Sequence, residues 1–241
     1  MRVAIQAPIP LLEEYCTLTN YQVCKALLIL DNPIYREFYT QRKALGDYTV
    51  LDCSISNPRE AVSSDSLMEA VRVLRPNLVV VPDYDVNYLR TVDSSVHFLR
   101  IYSKELKQLG VDSLGMVQGA TLKQYRLCYS NLFGLVEAIG LPRTMEVKVG
   151  RARFLREIQT TKPVHIFGLQ NSPEKELDSL LDLENVFGIV SSLPFRLGLQ
   201  CRLLEEYRPE PPELDYLSTR NPYPEFTRDN IKDLIAQASD W

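Results

Sequence analysis

The chain has 241 residues, 45% of them hydrophobic, enough for one large domain with a sizeable core. Charged residues make up 24% and the formal net charge is −4, which excludes general disorder. The charge also excludes a protein that coats nucleic acid by bulk positive charge, so any such binding would need a local basic patch.

No run of about 18 apolar residues is present, so no membrane span is expected. The start, Met1-Arg2-Val3-Ala4-Ile5, enters a strand-like pattern without the features of a leader peptide. Cys16, Cys24, Cys53, Cys128 and Cys201 are scattered and form no C-x-x-C pair. With only His97 and His165 beside them, no metal site is expected, and no other cofactor. A reducing cytoplasm is the simplest compartment.

Short apolar runs recur along the chain: Arg2–Ala7, Ala26–Asp31, Tyr48–Cys53, Asn77–Asp83, Ser113–Gly119, Glu137–Leu141, Pro163–Leu169 and Val186–Ser191. Each is brief, rich in Val, Ile or Leu, and shows little alternation, as in strands buried on both faces of a parallel sheet. Helical segments lie between them. Ser64, Asp65 and Ser66 offer caps before Leu67, Val71 and Leu74, which share one face, and that helix stops before Pro76. Asn87–Leu109 is long for one helix and reads as a loop followed by a helix ending at Gly110. Ser172-Pro173 reads as an N-cap with proline at the first helical position. Glu174, Glu176 and Asp178 follow it, and Leu177, Leu180 and Leu181 form the apolar stripe.

With an eighth helix near Phe195–Tyr207, the count is that of a (β/α)8 TIM barrel over residues 1–207, favoured over a doubly wound open sheet. Arg208-Pro209-Glu210-Pro211-Pro212-Glu213 reads as an acidic extended connector, and a last helix is expected at about Thr227–Ala238. Residues 208–241 thus form a C-terminal extension.

In such a barrel the site lies at the C-terminal strand ends. Asp52 and Asp83 sit at corresponding places on adjacent strands, with Asp85 close behind. Converging carboxylates suit acid–base or nucleophilic work, although each could instead cap the following helix. Gln118 can donate and accept, as reading a base edge requires, and Gly119 permits close backbone approach. His165, alone among apolar neighbours, reads as a core histidine or a site residue. Lys148, Arg151, Arg153, Arg156 and Lys162 form a basic stretch that could meet phosphates or could be a solvated helix face. No glycine-rich phosphate loop, Ser-His-Asp set or H-E-x-x-H motif is present.

Taken in order, the strand ends Leu51-Asp52-Cys53-Ser54, Pro82-Asp83 with Thr91, Met116-Val117-Gln118-Gly119, Ile139-Gly140-Leu141 and His165-Ile166-Phe167-Gly168-Leu169 resemble the tRNA-guanine transglycosylase superfamily. The similarity spans about Tyr48 to Gly198. The branch it most resembles is the short, phage-type DNA 7-deazaguanine transglycosylases, for which the compartment would be the host cytoplasm. The resemblance implies exchange of guanine for a 7-deazaguanine through attack of an aspartate on the sugar C1′. It implies that Asp52 stands beside the reacting sugar and that Asp83 binds the purine N1/N2 edge. Gln118 and Gly140 would meet O6 and the neighbouring edge, with Asp85, Gly119 and His165 in the substrate site. Lys148, Arg151, Arg153 and Arg196 would face phosphates.

The resemblance breaks at the eighth strand, where Gly188-Ile189-Val190-Ser191-Ser192 puts Val190 at the place of the family's nucleophilic aspartate. The two glycines after the first motif's aspartate are replaced by Cys53 and Ser54, and the zinc-binding cluster and RNA-binding extension of the tRNA enzymes are missing. DNA is therefore the expected nucleic-acid partner ahead of tRNA, with a base such as 7-cyano-7-deazaguanine as co-substrate and a second copy or second subunit as protein partner. The functional classes weighed are a DNA guanine transglycosylase, a non-catalytic transglycosylase-like partner subunit, and a nucleoside or N-glycoside hydrolase.

Overall fold

The computed structural model describes residues 1–53, 62–170, 173–204 and 217–239. Eight strands alternate with helices: β1 Arg2–Ile5, α1 Leu12–Tyr15, β2 Tyr21–Lys25, α2 Ala26–Asp31, α3 Pro33–Ala44, β3 Tyr48–Asp52, α4 Ser64–Leu74, β4 Leu78–Val80 and α5 Tyr88–Leu109. The second half continues with β5 Asp112–Met116, α6 Leu122–Leu132, β6 Ala138–Pro142, α7 Arg143–Val149, α8 Arg151–Ile158, β7 Val164–Phe167, α9 Pro173–Leu181, β8 Val186–Ser191, α10 Leu193–Gly198 and α11 Pro224–Ser239.

Every ladder is parallel, and the strand order is β1-β8-β7-β6-β5-β4-β3-β2. β1 and β2 pack side by side without a ladder among the described residues, so the sheet curls into a nearly closed (β/α)8 barrel. The strands are apolar on both faces because one face fills the barrel and the other meets the helices: Leu78, Val79, Val80 and Val81 are all buried. No helix of the described residues is long and apolar enough to cross a membrane.

The second strand is not where its apolar run predicts. Ala26–Asp31 is helix α2, and β2 is Tyr21–Lys25 just before it. Ala and Leu in that run are good helix formers, and burying Ala26 and Ile29 three residues apart suits a helix. β2 was hidden by Gln22, whose amide is buried and donates to the carbonyls of Cys16 and Thr19 and to Asp47.

The long segment before Gly110 is one helix of 22 residues, α5, capped by Asn87 at one end and Gly110 at the other. The helix expected at Phe195–Tyr207 is the shorter α10, and the acidic connector and Ser172 lie outside the described residues. α11 packs back on the barrel. It buries Thr227, Asn230, Ile231, Leu234 and Ala238, and the Met1 ammonium donates to the Ala238 carbonyl at 2.9 Å.

Candidate functional site

At the C-terminal mouth of the barrel a cavity of about 490 Å³ is lined by the ends of β3 to β7 and the segments after them. Asp52, Cys53, Asp83, Tyr84 and Asp85 form one side; Met116 and Gln118 lie in the middle; Pro142, Arg143 and Phe167 face them. Asp52, Asp83, Asp85 and Gln118, read from the sequence as site residues, are thus brought together.

Asp52 ends β3 and is only 3% exposed. Its ladder partner is Lys25, whose Nζ lies 3.3 Å from Asp52 Oδ2, so this carboxylate faces a cation. Asp83 follows β4 and accepts from Gln118 Nε2 at 2.7 Å. Burial pushes the Asp83 carboxyl up to about 6; the Gln118 hydrogen bond opposes the rise, and the Asp52 and Asp85 charges add to it. The two aspartates therefore have different neighbours, a lysine ammonium for Asp52 and a carboxamide for Asp83. Cys53, with its thiol 3.8 Å from Asp83, is pushed well above the ordinary thiol range by burial and then by the two carboxylates, so it is no thiolate nucleophile.

The loop after β4 is held tightly. Thr91 Oγ1 accepts from the Tyr84 amide at 2.9 Å and donates to the Tyr84 carbonyl at 3.1 Å, while Ser95 Oγ donates to the Pro82 carbonyl. Val86 has φ +60°, a costly backbone for a β-branched residue. Gln118 Oε1 accepts from the Val86 amide at 3.2 Å. Gln118 thus spans Asp83 and the strained loop, which fixes both relative to β5.

Several expectations need correction. Gly140 offers no edge to the cavity: a Cβ there would meet Met116 Sδ at 2.3 Å and Leu114 at 2.7 Å, so its role is to admit those side chains to the barrel interior. Gly119 likewise backs onto helix α6, where a Cβ would fall 2.9 Å from the Tyr125 amide nitrogen. His165 is a barrel-interior residue outside the cavity, fully buried among Tyr21, Tyr48 and Phe187, with Nδ1 2.6 Å from Tyr21 Oη. Burial lowers it to about 3, which keeps the imidazole neutral.

The basic stretch does not form one phosphate-facing surface. Arg151 is fully buried: its guanidinium donates to the carbonyls of Leu141, Phe167 and Gly168 and pairs with Glu176. A chain segment that seemed cationic therefore spends its central charge holding the ends of β6 and β7. Lys148 and Arg153 are exposed on α7 and α8, Arg196 is half-buried on α10, and none of them lines the cavity. Arg156 reaches Asp182 and the Ser179 carbonyl, and Lys162 donates to the Val136 carbonyl.

Among the described residues the arginines that line the cavity are Arg90 and Arg143. Arg143 opens α7 directly after Pro142, just beyond the sixth apolar run. Arg90 lies seven residues beyond Asp83 on the first turn of α5, and no sequence signal marked it. Among the described residues no group of three or more His, Cys, Asp or Glu side chains could hold a metal ion.

No protein-family model matches the chain, and no curated protein matches it. Among solved structures, a D-psicose 3-epimerase in the presence of D-fructose superposes with a TM-score of 0.53 at 13% identity, over 79% of this chain and 84% of that one. The likeness is one of fold. It agrees with the parallel barrel.

Proposed function

We propose that this chain is an enzyme that exchanges guanine in DNA for a 7-deazaguanine base. The observation that carries the reading is the Asp83–Gln118 pair in the cavity with Asp52 on the adjacent strand. Guanine presents N1–H and N2–H donors beside the O6 acceptor. Asp83 supplies acceptor oxygens for the donors, and Gln118 keeps a second Nε2–H, without a hydrogen bond among the described residues, for O6. Asp52, facing Lys25, is the nucleophile. Its carboxylate attacks C1′ and forms a glycosyl ester as the C1′–N9 bond breaks, and guanine leaves with that electron pair on N9, which solvent protonates. N9 of the incoming base, 7-cyano-7-deazaguanine for instance, then attacks C1′, loses its proton and expels Asp52. A guanine within a duplex would be flipped out to reach the cavity.

The test is release of labelled guanine from duplex DNA with and without 7-cyano-7-deazaguanine. Release that needs the deazaguanine and is lost in Asp52→Ala supports exchange. Release without any acceptor makes the protein an N-glycoside hydrolase.

A specific observation favours a second reading. Val190, where the resembled family has its nucleophile, is 2% exposed and packed in β8, and β8 sends no carboxylate into the cavity among the described residues. A non-catalytic partner subunit would bind guanine without turnover and would need a second chain for exchange.

A further inference from the structure

Arg90 and Arg151 are both arginines near the barrel mouth, and they spend their donors in opposite ways. Arg151 is consumed by protein carbonyls and Glu176. Arg90 is exposed, lines the cavity, and sits over the Tyr84 ring with its guanidinium carbon 3.8 Å from the ring centroid. Among the described residues its guanidinium donates no hydrogen bond and makes no ion pair.

A guanidinium stacked on an aromatic ring is held by its face, so its N–H donors point outward along the edge. That edge is the fork that meets two oxygens of a phosphate. The stack is itself fixed: Tyr84 is clamped to Thr91 through both backbone polar groups, one residue along α5 from Arg90. Ring, guanidinium and Asp83 therefore sit on one segment running from Pro82 to Ser95, pinned by the Thr91 and Ser95 hydroxyls. Across the cavity, Arg143 packs over Gly168, whose φ of +75° and missing side chain leave room for it: a Cβ there would lie 3.2 Å from Arg143 Cβ. The floor thus carries Asp52, Asp83 and the Gln118 amide, and the mouth carries Arg90 and Arg143 beside the exposed Asp85. A ligand that matches this order has a donor-rich head and an anionic tail.

We infer that the Tyr84-stacked Arg90 grips a phosphate attached to the sugar of the bound nucleoside, so that the cavity selects phosphorylated guanine nucleotides over the free nucleoside. This rests on the reading that guanine occupies the Asp83–Gln118 floor. The phosphate can be that of a mononucleotide or a bridging diester of a strand. Deoxyguanosine, its 5′- and 3′-monophosphates and a short single strand containing one guanine separate these sources.

The experiment is calorimetric titration of the whole chain with those four ligands, with guanine alone, and with inorganic pyrophosphate. Expected is that the phosphorylated ligands bind at least about 10-fold more tightly than deoxyguanosine, the scale of a hydrogen-bonded charge pair. Arg90→Ala should remove that advantage and leave guanine binding unchanged, whereas Tyr84→Phe, which keeps the ring, should preserve it. Tighter binding of the strand than of either monophosphate assigns a diester; equal binding assigns a terminal phosphate. Equal affinity for deoxyguanosine and its phosphates, or equal loss of both in Arg90→Ala, overturns the fork while leaving the guanine reading intact. Pyrophosphate binding that Arg90→Ala abolishes, without any binding of guanine, supports the fork and sinks the guanine floor. No binding of any of these ligands overturns both.

Discussion

The mouth of the barrel and its interior both bury polar groups, but they treat them differently. In the interior, His165 is enclosed by Tyr21, Tyr48 and Phe187, with one ring nitrogen bonded to Tyr21 and the other without a partner. At the mouth, Asp52 and Asp83 are packed side by side against Lys25 and Gln118 and open onto a cavity. The interior histidine is held neutral and serves packing. The mouth holds like charges together, an arrangement that stability alone does not favour and that marks a site. The contrast between Arg151, whose two terminal nitrogens are taken by backbone carbonyls and Glu176, and Arg90, stacked and without a hydrogen bond among the described residues, repeats the lesson for cations.

The sharpest way to break the comparison is Asp52→Ala, which should cut guanine exchange by at least about 10³-fold, the scale for removing a nucleophile. Exchange that survives this substitution would move the nucleophile elsewhere. Next in size is Arg151→Met. It strips Glu176 of its cation in a buried setting and should cost about 3–5 kcal/mol, read as a fall in thermal midpoint. Arg153→Ala, two residues along the same helix and exposed, should shift stability by less than about 0.5 kcal/mol. Equal effects of the two would contradict the structural role of Arg151.

The two regions should also titrate in opposite senses. His165 falls from 6.5 to about 3 on folding, so its contribution is present above pH 6.5 and is lost as pH falls through that window. The loss amounts to about 1.4 kcal/mol per pH unit, and His165→Gln should flatten that limb of the stability curve measured by urea unfolding. Asp83 rises from 3.8 to about 6, so its contribution is present below pH 3.8 and is lost as pH rises through 6. Asp83→Asn should remove that opposing slope. A wild-type curve unaltered by either substitution would deny the contrast.

The smallest effect concerns binding. Guanine needs Asp83 ionised to accept its N–H groups, so affinity should rise up to about tenfold per pH unit below 6 and level off above it. Asp83→Asn should abolish this dependence, and affinity independent of pH in the wild-type protein would remove Asp83 from the base-reading role.

Much of the architecture was legible because parallel barrel strands are buried on both faces, and continuous apolar runs such as Leu78-Val79-Val80 record that burial directly. The carboxylates Asp52 and Asp83 were legible for a related reason: a charge that ends an apolar strand has to be at the strand's open end. β2 was not legible, because its buried Gln22 is satisfied by Cys16, Thr19 and Asp47, partners that only folding assembles.

Apart from β2, the sequence by itself determined the alternation of strands and helices and the acids at the strand ends, since both follow from local periodicity and chain order. Only the tertiary structure decided which polar residues work inward and which outward. Arg151 and Arg153 are two residues apart on one helix and chemically identical, yet one is swallowed by three backbone carbonyls and Glu176 while the other faces solvent. Arg90 lines the cavity because α5 lays it over Tyr84 at the cavity edge. Such assignments depend on partners distant in the chain, and no local pattern carries their positions.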